Sequence, residues 1–343
     1  MKAMILAGGL STRLYPLTKQ VPKPLVPVAG VPNAEHLIHY LHSYGFDEIA
    51  INVHYLAEAI VETLGDGSRF GVRLTYSYEP ELLGSAGAVK QLEPFFGNET
   101  FAVVGCDDLT DLPLDRLLAF HHDCGAIATI GLVECAEVDQ YGVVVTDERG
   151  KIVGFQEKPP KGTERSKLAN TGIYAFSPEI FAQVPAQTFY DFGKQVFPAL
   201  QSAGAPFYGF DARGAYWSDI GTPAEYRRAS ADVVRGTFAI PGTRANGVDP
   251  SAVIGSNVTI EGPVWVGEGA RLDDGVTIVG PSVVGDGAHL ERGARIERSI
   301  LWEGATVGTD AVLRDTIVGK RFRVESAATL DGAVVANEEP ADS

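Results

Sequence analysis

The sequence predicts an α/β fold, a mainly parallel sheet covered by helices, followed by a parallel β-helix. Over the first two thirds, apolar runs of strand length alternate with runs of helix length, the order that builds βαβ units with right-handed crossovers. From about residue 250, apolar residues recur at every sixth position, a period from which an α-helix would drift away. The first apolar run breaks into a glycine pair, and ligands in such sheets lie beyond the carboxyl ends of the strands.

Taken in order, Ala3 to Ala7 is a continuous apolar stretch of the kind a strand buried on both faces needs. Gly8-Gly9 then lets the backbone turn sharply and lie against a ligand with no Cβ in the way. Amides freed there can point at anionic oxygens. Arg13 offers a planar fork of donors and Lys23 a mobile point charge, a pairing that suits a triphosphate. Neither G-x-G-x-x-G with its later acid nor G-x-x-x-x-G-K-[ST] is present, so the segment is not a dinucleotide loop or a P-loop of the common kinds.

Strands are expected at Glu48 to Val53, Val72 to Tyr76, Phe101 to Gly105 and Ala126 to Val133, and helices at Leu56 to Leu64, Ala86 to Leu92 and Leu114 to His122. A first domain over 1–236 then gives way to a segment rich in glycine and proline, read as a linker over 237–249. Beyond it Ile254, Ile260, Val266, Leu272, Ile278, Val284, Leu290, Ile296 and Trp302 keep the sixfold spacing, with small or β-branched residues such as Val264, Ala270, Val276, Ser282 and Ala288 between them. Three hexads per turn make a triangular solenoid over 250–325, whose frame slips after Trp302. Residues 326–343 read as a loosely ordered tail.

Composition narrows the function. A net charge of −16 argues against nucleic acid or an anionic membrane as partner, so phosphate binding has to be local. No basic segment followed by an apolar stretch lies near the N-terminus, and no apolar run approaches the roughly 20 residues of a membrane span. Cys106, Cys124 and Cys135 match no zinc or redox spacing, and a cytoplasmic protein with reduced thiols is expected. His36, His39 and His42 progressively leave one helix face, which reads as a packed or surface helix and not a metal site. His289 is the only histidine in the repeat, which disfavours an acyltransferase on the solenoid and leaves oligomerisation and stability as its expected role.

From Leu6 through Pro27 the chain resembles the signature L-A-G-G-x-G-T-R-L-x-P-L-T…P-K-P-L-x-P-V of the sugar-1-phosphate nucleotidylyltransferases, with Ser11 in place of a glycine. The resemblance implies a Rossmann-like sheet of the nucleotide-diphospho-sugar transferase type and transfer of a nucleotidyl group to a sugar 1-phosphate. It assigns Leu6, Ala7, Gly8, Gly9, Ser11 and Thr12 to the nucleotide, and Arg13 and Lys23 to catalysis on the triphosphate. Glycine at the position of Ser11 implies a positive φ or a close phosphate, and a serine hydroxyl there is expected to meet a phosphate oxygen or cap the following turn. Gly105-Cys106-Asp107-Asp108-Leu109 resembles N-G-D-x-L, and Trp217-Ser218-Asp219-Ile220-Gly221-Thr222 resembles W-x-D-I-G-T. Asp107 and Asp219 are thereby expected to hold Mg²⁺, as two hard oxygens completed by nucleotide phosphates.

Phe155-Gln156-Glu157-Lys158-Pro159 resembles F-x-E-K-P, where Glu157 would accept from sugar hydroxyls and Lys158 would meet the sugar phosphate. Gly142, Asn170 and Lys194 complete the expected sugar-phosphate contacts. Glu81, Gly84, Ser85 and Gly87 fall in a segment resembling the nucleobase-lining E-x-L-G-T-A-G, most typical of mannose-1-phosphate guanylyltransferases, so GTP and mannose 1-phosphate are the favoured substrates. UDP-, ADP- or dTDP-glucose synthesis, and a regulatory subunit that binds without turnover, are the alternatives. The repeat resembles the left-handed β-helix of hexapeptide-repeat proteins, a domain that several of these families append, and implies a homo-oligomer.

Overall fold

The computed structural model describes residues 1–238 and 246–337. Residues 239–245 of the expected linker and 338–343 of the expected tail lie outside the described residues. The chain forms two compact units, each assembled from separate stretches: Met1–Gly9 with Leu37–Trp217, and Leu10–His36 with Ser218–Ser343.

The first unit is built on a nine-stranded mixed sheet. Lys2–Leu6 lies between two parallel neighbours, Glu48–Val53 and Phe101–Gly105, and Arg73–Tyr78 extends the parallel half. Burial on both faces explains the uninterrupted apolar run, since Ala3, Met4 and Ile5 are all fully buried. Leu168–Phe176 then runs antiparallel to Phe101–Gly105, and Ala128–Glu134 pairs antiparallel with it on its other side. The hairpin of Gly142–Thr146 and Ile152–Glu157 pairs with the start of Leu168–Phe176 on the side opposite Ala128–Glu134, and Phe207–Asp211 pairs parallel to Ala128–Glu134 beyond it. Beneath this junction Phe96, Phe101, Phe176, Phe192, Phe197 and Phe207 form a buried aromatic cluster, with Phe96 stacked on Phe101 at 3.9 Å. Truncating one such ring to alanine typically costs about 3–5 kcal/mol.

The second unit contains the solenoid, three parallel sheets whose strands recur in rotation. Val266 pairs with Val284, eighteen residues on, whereas Val284 pairs with Leu301 and Leu301 with Val318, each seventeen on. The shortening happens at one corner, where Gly280-Pro281-Ser282 is answered one coil later by Arg298-Ser299 alone. This moves the frame slip earlier than the hexads suggest. Leu301 takes the inward position in the apolar interior, and Trp302 faces outward instead. Ile254 and Ile260, expected inside, are exposed in the first coil.

Buried hydroxyls line the same corner. The hydroxyl of Ser282 accepts the Ser299 amide and that of Ser299 accepts the Thr316 amide, each at 3.1 Å, while each donates to a carbonyl of its own coil. The helix Pro223–Arg235, capped by the Thr222 hydroxyl, packs on the solenoid, with Arg227 donating to the Asp315 carbonyl at 3.1 Å.

Candidate active site

In the first unit the glycine pair behaves as two different residues. A Cβ on Gly8 would stand 2.7 Å from Asn52 Nδ2, whereas one on Gly9 would meet nothing within 4 Å. Gly8 is thus required by packing, and the exposed Gly9 leaves its backbone open to a ligand. Leu6 ends the strand that feeds this turn, and the amide of Ala7 just beyond it donates to Asn52 Oδ1 at 2.8 Å. Asn52 donates to Glu79 Oε1 at 2.8 Å, and Glu79 Oε2 accepts the Leu83 amide at 3.0 Å. This buried Asn–Glu pair ties the glycine turn to the segment around Glu81, and sequence reasoning missed both residues. Their signal was Asn52, the one polar side chain after Glu48 in the Glu48–Val53 strand.

Glu81 is exposed at the start of that segment. Gly84, at a φ of +73°, and Gly87 abut the chain around Tyr190, and a Cβ on either would come within 2.7 Å of a carbonyl oxygen there. The Ser85 hydroxyl donates to Asp191 at 2.9 Å and accepts the Phe192 amide. These three positions therefore hold two chain segments together, whatever else they touch.

Asp107 and Asp108 differ in burial. Asp108 is 4% exposed, and its two oxygens accept the Gly105 amide and the Trp217 indole N–H, both at 3.0 Å. A Cβ on Gly105 would stand 2.7 Å from Asp108 Oδ2, which explains glycine where the related pattern has asparagine. Asp107 is half-buried, with Oδ1 3.1 Å from the same point. The Trp217 indole also donates to the Thr171 carbonyl at 2.9 Å and packs edge-on against Tyr141, so the expected sugar segments are gathered around one ring. Asn170 half-buries its amide, accepting from the Gly172 amide and donating to Tyr174.

Glu157 is exposed as a residue, but its carboxylate is wedged between two backbones. A Cβ on Gly193 would lie 2.6 Å from Oε2, and one on Gly142 would lie 3.3 Å from it. The resulting desolvation raises its pKa, against the opposing pull of nearby Lys158. Lys158 is exposed and left-handed, with a φ of 44°, and Lys194 is exposed with its amide donated to Asp191.

In the second unit, Ser11 adopts the left-handed conformation, φ 52° and ψ 40°. This is the backbone a glycine at that position implies. Its hydroxyl does not take the second of the two expected roles, the cap; the Ser11 carbonyl accepts the Leu14 amide and the Thr18 hydroxyl, the latter at 2.8 Å. Thr12 and Arg13 are exposed in the short turn that follows. Gly221 lets two site residues approach one another, for a Cβ there would lie 2.8 Å from Arg13 Nη2 and 3.0 Å from the buried Asp219 Oδ2. Lys23 begins a turn stiffened by Pro22 and Pro24.

The donor chemistry fits Mg²⁺. Asp107 and Asp219 offer hard carboxylate oxygens, and among the described residues no three His, Cys, Asp or Glu side chains are grouped as an all-protein cage. Carboxylates that leave the shell to be completed by substrate phosphates are the usual protein share of a Mg²⁺ site. The three helix histidines have separate partners: His36 the Val28 carbonyl, His39 the Phe70 ring and His42 the Asp47 carboxylate. His289 is paired with Asp273 at 2.9 Å. Among the described residues no helix is long and apolar enough to cross a membrane.

Comparison with known proteins gives these arrangements a lineage. A family model described as nucleotidyl transferase matches residues 2–236, and one described as GMPPB C-terminal domain matches 261–340. A UTP–glucose-1-phosphate uridylyltransferase of Synechocystis sp. is 40% identical, covering 96% of this chain and 90% of its own. A mannose-1-phosphate guanylyltransferase of Mycobacterium tuberculosis is 34% identical, covering 79% and 78%. The mannose-1-phosphate guanylyltransferase catalytic subunit beta of Danio rerio is 33% identical, covering 99% and 93%. Among solved structures, a putative glucose-1-phosphate thymidylyltransferase from Bacillus anthracis superposes with a TM-score of 0.60 at 27% identity, over 67% of this chain and 94% of that one. The chain belongs to the nucleotidyl transferase family, as a sugar-1-phosphate nucleotidyltransferase that carries a GMPPB-type C-terminal domain.

Proposed function

We propose that this sugar-1-phosphate nucleotidyltransferase joins GTP to mannose 1-phosphate, forming GDP-mannose and releasing pyrophosphate. The observation that carries the substrate pair is the Glu81 to Gly87 segment, supported by the GMPPB C-terminal domain match over 261–340. In this reading the phosphate oxygen of the sugar attacks the α-phosphorus, the new P–O bond forms as the bond to pyrophosphate breaks, and the leaving group carries the displaced electron pair. That oxygen is already ionised, so no general base is needed, and the chain supplies positioning and charge. Arg13 and Lys23 neutralise the triphosphate, Leu6 to Gly9 with Ser11 and Thr12 surround it, and Glu81, Gly84, Ser85 and Gly87 line the base. Glu157 accepts from the sugar hydroxyls with Gly142 and Asn170 beside it, and Lys158 and Lys194 meet the sugar phosphate. Mg²⁺ held by Asp107 and Asp219 would, when bound, supply further neutralisation of phosphate charge. The setting we favour is the cytoplasm, because the spacing of Cys106, Cys124 and Cys135 matches no zinc or redox pair, and the assembly we favour is a homo-oligomer.

The 40% identity to a uridylyltransferase favours a second reading, UTP with glucose 1-phosphate. Pyrophosphate release across five nucleoside triphosphates, each with mannose 1-phosphate and glucose 1-phosphate, separates the two. The expected result is GTP with mannose 1-phosphate at least about tenfold above every other pair in kcat/KM. A maximum at UTP with glucose 1-phosphate would replace our reading by the second, and nucleotide binding with no release from any pair would indicate a regulatory subunit.

A further inference from the structure

Within the second unit, the stretch that carries Arg13 and Lys23 is fastened to the solenoid by hydrogen bonds in series. The Trp302 indole N–H donates to the Tyr226 hydroxyl at 2.9 Å, and that hydroxyl donates to the Pro27 carbonyl at 2.5 Å. Trp302 is 3% exposed and Tyr226 fully buried, so the donors of both bonds are shielded from water. Pro27 is four residues beyond Lys23, and the chain between them has little freedom. The Leu25 amide closes on Pro22 and the Val26 amide on Lys23, Pro22, Pro24 and Pro27 each fix a φ, and Pro27–Val28 pairs with Val31–Pro32. A second tryptophan bears on the same hairpin, where a Cβ on Gly30, at a φ of +81°, would stand 2.9 Å from Trp265 Nε1. Trp265 lies between the inward-facing Val264 and Val266, so it belongs to the outer wall of its coil.

We propose that Trp302 and Tyr226 are positioning residues for nucleotide binding, the solenoid setting the place of Lys23 by way of the Pro27 carbonyl. The proposal rests on the reading that Lys23 binds the triphosphate. The solenoid then contributes to nucleotide binding through the chain it holds, although no residue assigned to substrate lies within it. The frame slip acquires a purpose as well: with an eighteen-residue coil Trp302 would be drawn into the inward row, and the seventeen-residue coil puts Leu301 there and leaves the indole outside for Tyr226.

Full-length Tyr226→Phe and Trp302→Phe test this, because each removes one hydrogen-bonding group and keeps a ring. Both should raise KM for the nucleoside triphosphate, with kcat/KM for that substrate down about tenfold or more in Tyr226→Phe and less in Trp302→Phe, while KM for the sugar 1-phosphate moves less than about twofold. The double variant should be no worse than Tyr226→Phe, since the bonds act in series. Nucleotide kinetics within twofold of wild type in folded Trp302→Phe and Tyr226→Phe, or equal losses toward both substrates that track a fall in melting temperature, would overturn the proposal. If Tyr226→Phe does not fold, Trp302→Phe decides alone, its effect on nucleotide KM being required. Lys23→Ala run alongside separates the two claims: unchanged nucleotide KM in that variant removes the assigned role of Lys23, whatever the relay variants do.

Discussion

Asp107 and Asp108 are neighbours of identical chemistry whose carboxylates both approach Gly105, and their surroundings divide the work between them. Asp108 is committed to the Gly105 amide and the Trp217 indole, so its replacement is a stability question. Asp107→Asn should lower turnover by about 10²–10³, the usual loss when a preorganised charge is removed from a reacting phosphate, with melting little changed. Asp108→Asn should instead cost about 1–3 kcal/mol of stability, because an amide nitrogen would be set against one of those two donors. Turnover assays paired with thermal melts distinguish them, and an inactive but stable Asp108→Asn beside a normally active Asp107→Asn would exchange the assignments. The sequence makes legible the residues whose role is local. Ser11 in the left-handed region follows from a glycine-type position, and Gly9 is open as a phosphate turn requires. It hides residues whose role depends on distant partners: Asn52 acquires its meaning from Glu79, 27 positions later, and Tyr226 from Pro27, 199 positions earlier.

Among elements, the solenoid was the most readable, and it misled at Trp302, in the first coil where Ile254 and Ile260 are exposed, and at its end, where the strands Thr329–Asp331 and Val334–Val335 lie within the expected tail. A sixfold apolar period is enforced by a repeating interior, so Val266 through Ile296 are buried as spaced. Corner length is not enforced by that period, and the loss of one residue between Glu297 and Ile300 let Trp302 pass for an inward residue. The parallel half of the sheet was legible because strands buried on both faces read as apolar runs, whereas the antiparallel junction around Leu168–Phe176 depends on pairings no local pattern records. The corner hydroxyls yield a prediction at this scale. Ser299→Ala leaves the fully buried Thr316 amide without its acceptor, and should destabilise the protein by about 1–3 kcal/mol while leaving substrate KM values unchanged. Chemical denaturation of the full chain measures it, and an unchanged midpoint would mean that the ladder contributes nothing net.

At the scale of the molecule, the boundary between units does not follow the boundary between the two family matches. Residues 10–36 lie inside the 2–236 match, yet cohere with the solenoid. Removing residues from Asp249 onward keeps every candidate site residue and discards Trp265 and Trp302, and we expect turnover to fall more than about a hundredfold even where circular dichroism shows the first unit folded. Turnover within tenfold of the full chain would show that residues 10–36 hold their shape without the solenoid. The same arrangement has a consequence in time. At about 5–20 residues per second of synthesis, Pro27 leaves the ribosome roughly 10–40 seconds before Tyr226 exists to receive it. The stretch bearing Arg13 and Lys23 is thus among the first parts of the protein to be made and among the last to be fixed. If Trp302 and Tyr226 position Lys23 as proposed, a growing chain gains nucleotide binding only once the solenoid coil bearing Trp302 has been made and folded.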